Sequence, residues 1–252
     1  KAGTYMLTVT DANNCSVTLP AVNITLPPVL NVSVISQTDV LCFGESTGTI
    51  SVSVTGGTMP SGGYYYDWTG VDYLGNSFSA TTRNLTGITA GTYNLTVTDE
   101  NGCTASILPV TISMPDALTL DVNVISDYNG RDISCAGASD GRAEAVVTGG
   151  TGIYFYTWYS DPLFSVPIGQ MGAVAINLAA GDYYVRVMDM NGCSITDVVV
   201  LEEPQALEAT VTSKTDVGCF GEASGAVTVT VTAGTGTEPY VFSKDGGSTW
   251  QD

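Results

Sequence analysis

Histidine is absent from these 252 residues, and lysine and arginine together number seven against 25 acidic residues. Without histidine, Ser-His and Cys-His nucleophile pairs cannot be built. Zinc is disfavoured too, because the cysteines show no CxxC spacing. A net charge of −18 leaves no basic patch to neutralise phosphate, which excludes nucleic acid as a partner. An anionic lipid surface would repel the chain. The charge reads instead as a means of keeping a long exposed protein from self-association. No run approaches the roughly 18 apolar residues of a membrane helix, and no signal-peptide pattern is present. Amphipathic helical windows are missing, which excludes a parallel α/β fold. Neither residues 29–115 nor residues 116–204 contain lysine, so neither stretch can form a lysine-derived isopeptide crosslink.

What remains is Gly, Thr, Val and Ser in short alternating runs, an all-β composition. One stretch recurs three times. Gly91-Thr92-Tyr93-Asn94-Leu95-Thr96-Val97-Thr98-Asp99-Glu100-Asn101-Gly102-Cys103 has counterparts at residues 3–15 and 181–193. The cysteine returns after 88 and then 90 positions. A period of that length marks a tandem array of small domains, each large enough to bury a core.

The expected boundaries follow from that period. Residues 1–28 read as the C-terminal part of a repeat, with strands over Tyr5–Thr10 and Val17–Leu26. Residues 29–115 read as a complete repeat. Its strands are expected over Leu30–Leu41, Thr49–Thr55, a Tyr64/Tyr66/Trp68 run, Gly91–Asp99 and Ala105–Ser113, with residues 70–82 irregular. Residues 116–204 repeat that order. Residues 205–252 begin another repeat, with a third strand at Tyr240-Val241-Phe242. The chain thus reads as a window on a longer polypeptide. About seven short strands per period with glycine and proline turns favour an immunoglobulin-like β-sandwich.

Six cysteines fall in two classes. Cys15, Cys103 and Cys193 follow the recurring strand and its turn. Cys42, Cys135 and Cys219 come early in each repeat. An even number at regular spacing reads as disulfides formed in an oxidising compartment.

With these residues laid out, the chain resembles the SprB repeats of Bacteroidota gliding-motility adhesins, and the wider PKD-like and immunoglobulin-like surface repeats. The resemblance rests on Cys42-Phe43-Gly44-Glu45-Ser46-Thr47-Gly48, Cys219-Phe220-Gly221-Glu222-Ala223-Ser224-Gly225, the Asp-x-Asn-Gly-Cys segments at 99–103 and 189–193, and Phe242-Ser243-Lys244-Asp245-Gly246-Gly247. The middle repeat departs from it, with Cys135-Ala136-Gly137-Ala138 in place of Cys-Phe-Gly-Glu. The resemblance implies a very large cell-surface adhesin at the outer membrane, exported by the type IX system and moved by the gliding machinery. Its partners would be neighbouring repeats and an extracellular surface or polysaccharide.

Three functions stay open at this stage. One is a structural stalk, an extended rod of sandwiches. Another is a carbohydrate- or surface-binding module with a site in each repeat. The third is a set of accessory repeats of a secreted enzyme. No catalytic, cofactor or metal residue is expected. The Tyr64/Tyr66/Trp68 and Tyr154/Tyr156/Trp158 ladders read as core, and Asp-x-Asn-Gly as a turn rather than part of a calcium loop. Tyr65, Phe155 and Tyr159 point to the other face and are the candidates for surface contact.

The cysteine pairing is a matter of geometry. In an immunoglobulin-like order the two cysteine classes sit at opposite ends of one sandwich, too far apart for a bond that needs Cα atoms about 4.4–6.8 Å apart. In a rod, the far end of one domain abuts the near end of the next, which favours Cys42 with Cys193 and leaves Cys135 and Cys103 facing partners in repeats outside, or truncated by, this window. Pairing within a repeat, Cys42 with Cys103, and reduced thiols are the alternatives.

Overall fold

The computed structural model describes residues 1–251, and these form β-strands, turns and loops with no helix. They divide into two compact units, residues 1–115 and residues 116 onward.

In the first unit, β1 (Gly3–Tyr5), β2 (Thr8–Thr10), β3 (Ser16–Thr18) and β4 (Val22–Ile24) make one interrupted hairpin, with β2 on β3 and β1 on β4. The complete repeat follows as β5 (Asn31–Thr38), β6 (Gly48–Thr55), β7 (Tyr65–Asp72), β8 (Ser77–Ala80), β9 (Leu85–Ile88), β10 (Gly91–Thr98), β11 (Thr104–Ser106) and β12 (Val110–Ile112). One sheet has the order β5-β6-β9, and the other β11-β10-β7-β8 with β12 also on β10. Alternation decides which side chains lie between them. Ile50 and Val52 of β6 face Trp68 of β7 and Tyr93, Leu95 and Val97 of β10, all buried. Thr96 and Thr98 lie on the opposite face. Trp68 satisfies its only polar group by donating from Nε1 to the Thr82 carbonyl at 2.9 Å.

The second unit repeats this plan in β13 (Thr119–Val124), β14 (Gly141–Thr148), β15 (Phe155–Tyr159), β16 (Val174–Leu178), β17 (Gly181–Met188) and β18 (Ser194–Leu201). Sheets β13-β14-β16 and β15-β17-β18 enclose Trp158, Val185, Val187 and Leu201. Trp158 donates to the Gly172 carbonyl at 3.0 Å. Beyond this sandwich, β19 (Ala209–Thr215) pairs with β20 (Ala226–Val231), and both are exposed.

Several elements differ from the sequence expectation. Residues 70–82 are not wholly irregular: β7 runs on to Asp72, turns on the Asp72 side chain and returns as β8. Only Phe78 and Ala80 alternate there, too weak a pattern to read. The expected closing strand at 105–113 is split into β11 and β12, and 17–26 into β3 and β4. Pro109 and Pro20 cause the breaks, since neither can donate to the ladder. The equivalent β18 has no proline and is continuous. Tyr240-Val241-Phe242 is not a strand; Phe242 makes only an isolated bridge to Gln251.

Each complete repeat carries the chain from one end of its sandwich to the other. The chain enters at the turn after the second strand, where Gly57 N–H donates to the Pro28 carbonyl at 2.7 Å and Gly150 N–H to that of Asp116 at 2.9 Å. It leaves at the early-cysteine loop. There Val40 N–H donates to Ser113 at 2.9 Å, and Gly137 N–H to the Glu203 carboxylate at 2.6 Å.

The turn at the entering end requires glycine. Gly56 and Gly149 have φ of 74° and 78°, and a Cβ on either would collide with the carbonyl oxygen of Val29 or Ala117. Gly152 has a similar φ of 76° but open space around it. Gly152→Ala is therefore expected to cost only the left-handed backbone penalty, about 1 kcal/mol. Gly149→Ala should cost clearly more, through steric overlap with backbone. Urea unfolding of the two variants measures the difference.

Candidate contact surface

Two side-chain clusters decide what the repeats present to the outside. The first closes the entering end. Asp99 and Asp189, only 2% and 1% exposed, follow the last residue of β10 and β17 and cap the turns that lead to Cys103 and Cys193. Asp99 Oδ1 accepts from Asn101 N–H at 3.0 Å and Cys103 N–H at 2.8 Å, and Oδ2 accepts from Thr58 N–H at 2.9 Å. Asp189 Oδ1 accepts from Asn191 and Cys193, at 3.0 and 2.9 Å. Its Oδ2 accepts from both the N–H and the hydroxyl of Thr151, each at 2.9 Å.

Donated hydrogens occupy the oxygen positions that a cation would need. Among the described residues no three His, Cys, Asp or Glu side chains cluster to hold a metal ion. The Asp-x-Asn-Gly segments are turns, closed by Gly102 and Gly192 N–H donating to the Asp99 and Asp189 carbonyls at 3.1 Å each. The same turn at Asp11 places Asn14 at φ 65° where the others have glycine, a conformation that asparagine tolerates.

The Thr58 N–H, opposed by partial desolvation and reinforced by Cys103 and Asn101, lowers the Asp99 carboxyl below its ordinary range. Burial alone would raise Asp189, but the bonds from Thr151, Cys193 and Asn191 outweigh it and the net direction is down.

The aromatic ladders are interior or nearly so. Trp68 and Trp158 are fully buried. Tyr64 and Tyr154 are half-buried, and their hydroxyls donate to the Gly56 and Gly149 carbonyls at 2.6 Å each, clipping the same glycine turns. Of the candidate surface aromatics, Tyr65 and Phe155 are 64% and 54% exposed.

Tyr159 is half-buried and belongs to the second cluster. Phe164 packs edge-on against it, with ring centres 5.3 Å apart, and against Tyr184 at 6.0 Å. The guanidinium of Arg186 lies 4.8 Å from the centre of the Phe164 ring and 5.9 Å from that of Tyr159. Phe164, Tyr184 and Arg186 were not among the sequence candidates. Phe164 lies in the loop between β15 and β16. Arg186 could have been found by comparing copies, because the equivalent positions are Thr8 and Thr96.

Cys42 and Cys193 are each held in a disulfide. Cys15, Cys103, Cys135 and Cys219 are exposed free thiols within this chain. Within the first complete repeat Cys42 lies at the leaving end and Cys103 at the entering end, and the free state of Cys103 excludes a bond between them.

Residues 34–72, 129–162 and 211–249 match the SprB repeat family. No curated protein matches the chain. Among solved structures, extracellular domains 3–5 of Drosophila OTK are similar at 12% identity and TM-score 0.35, over 79% of this chain and 70% of that one. A C-terminal 282-residue fragment of intimin, solved with the intimin-binding domain of its translocated receptor, gives 13% and 0.34 over 72% and 65%. Fibronectin(III)-like modules of Clostridium thermocellum CbhA give 15% and 0.28 over 68% and 94%. At such identities the likeness concerns β-domain fold alone.

Two measurements check these assignments. Without reductant, a thiol-alkylating reagent should label Cys15, Cys103, Cys135 and Cys219, with Cys42 and Cys193 labelled only after reduction. The lowered carboxyls make stability depend on acid. Their contribution is complete above the ordinary carboxylate pKa, about 3.9, and is lost as pH falls through the lower folded value. Melting temperature should therefore hold from neutral pH down to about 4 and then drop. Asp189→Asn, which turns an N–H toward an N–H, should lower it at pH 7 and flatten the acid limb.

Proposed function

We propose that this chain, which carries SprB repeats at three places, is a structural segment of a large repetitive adhesin on the cell surface. The observation that carries this reading is the path of the chain through each complete repeat. It enters beside Asp99 or Asp189 and leaves beside the Cys42 or Cys135 loop, at the opposite end. A domain threaded in this way can transmit tension along its strands and pass it to the next.

The outward faces favour a spacer over a binding site in every repeat. At equivalent strand positions the first complete repeat shows Thr69, Asn94 and Thr96, and the second shows Tyr159, Tyr184 and Arg186. A module that bound one ligand per repeat would keep one cluster. Disulfide-bonded cysteines fit an oxidising, extracellular location. Export by the type IX route, attachment to the outer membrane and a part in gliding are the finer elements of the proposal, and they rest on the SprB resemblance. No enzymatic role is proposed, since nothing recurs in the repeats that resembles a reaction centre.

Small-angle scattering of the whole chain tests the spacer reading. An eight-residue strand spans about 26 Å, and domains joined end to end should give a pair-distance distribution with a long tail. A symmetric, globular distribution would count against it.

A further inference from the structure

The chain has 25 acidic residues, yet Arg186 makes no ion pair or hydrogen bond with any described residue. Its nearest partners are aromatic. Asp161, which lies in the same loop as Phe164, is occupied elsewhere. Its carboxylate accepts from Leu163, Ser165 and Val166 N–H at 2.7–3.2 Å and from the Ser165 hydroxyl at 2.8 Å. Those bonds fold the loop tightly enough to hold Phe164 at φ 54°, with its ring set between Tyr159 and Tyr184. Asp197, on the neighbouring strand, accepts from Val198 N–H at 2.9 Å. The guanidinium is therefore stacked on a fixed aromatic wall, and its N–H edges are left without a partner. Stacking and bidentate bonding are compatible, because one uses the face of the fork and the other its rim.

Around it the outward face of β15, β17 and β18 is flat and mixed. Thr157 sits across from Arg186, and Thr196 flanks it on the other side. Exposed Phe155 lies one pair further along. Aromatic rings, two hydroxyls and one unpaired planar cation on an open sheet suit a pyranose ring that carries a carboxylate. The large negative charge of the chain disfavours densely charged polyanions. One carboxylate per sugar is better tolerated, since repulsion from distant acids is screened beyond about 8 Å at physiological salt.

We propose that Arg186, backed by Phe164 and Tyr159, binds the carboxylate of a uronic-acid residue in an acidic polysaccharide. The site belongs to residues 116–204 alone, because the first complete repeat has Thr96 at the equivalent position. It is independent of the spacer reading: either can fail without the other.

The test is calorimetric titration of the full chain with trigalacturonic acid, maltotriose and acetate. Arg186→Thr is the informative variant, since threonine already occupies this strand position in Thr96 and the fold accommodates it. Wild type should bind the acidic trisaccharide at least tenfold more tightly than either control. Arg186→Thr and Phe164→Ala should each lose at least tenfold, and Arg186→Lys should lose most of the affinity because it lacks the planar fork. An unchanged melting temperature for Arg186→Thr would separate lost binding from lost fold. Equal binding by wild type and Arg186→Thr, equal affinity for maltotriose or acetate, or no binding at millimolar trisaccharide would each overturn the proposal.

Discussion

One buried carboxylate closes the entering end of each complete sandwich, and much of the local structure depends on it. Asp99 bonds at once to the hairpin that leads to Cys103 and to Thr58, just beyond β6. The first belongs to one sheet and the second follows a strand of the other, so the carboxylate fixes how the sheets face. Its demands propagate. Gly57 must be glycine, because a Cβ there would press on the Asp99 carboxylate. Gly56 must be glycine because the turn folds back against Val29. Tyr64 then clips that turn from above. A buried charge is costly unless its lone pairs are filled, and backbone N–H groups fill these.

Much of this was legible in the sequence. The Asp-x-Asn-Gly-Cys spacing marks the turn, and Tyr93, Leu95 and Val97 alternate as an interior strand must. Trp68 and Trp158 recur at the position of a core tryptophan. What escaped notice depended on contacts across long stretches of chain. Nothing about Asp99 alone says that Thr58, 41 residues earlier, completes its shell. Strand β8 has too few apolar residues to announce itself, and it exists because β7 offers it a ladder. The aromatic–arginine cluster needs a loop residue, Phe164, whose place is set by an aspartate that turns the backbone under it. Composition carries no trace of that.

The hairpin at residues 1–24 repeats the strand and turn of the complete repeats. Tyr5, Leu7 and Val9 repeat the pattern of Tyr93, Leu95 and Val97, and the hairpin keeps the same turn, with Asp11 accepting from Asn13 and Cys15 at 2.9 Å each. The turn chemistry is thus the same in the hairpin as in the complete repeats. Alternation along the strand lets one repeat carry Arg186 outside where another carries Thr96, while Leu95 and Val185 keep the interior apolar.

The proline that splits β11 from β12 bears on how similar domains avoid one another. Those strands form the rim of their sheet, and a rim with a full row of free amides invites pairing with a like strand. Domains of related sequence and like fold, strung on one chain, meet at high local concentration while they fold, which is where misassembly begins. Pro109 removes a donor and bends that rim. The corresponding β18 is an unbroken rim eight residues long that exposes Val198 and Val200. Adjacent members of the array thus differ in how readily their borders adhere, and a strand exchanged between neighbours would find a poorer match than their shared ancestry suggests.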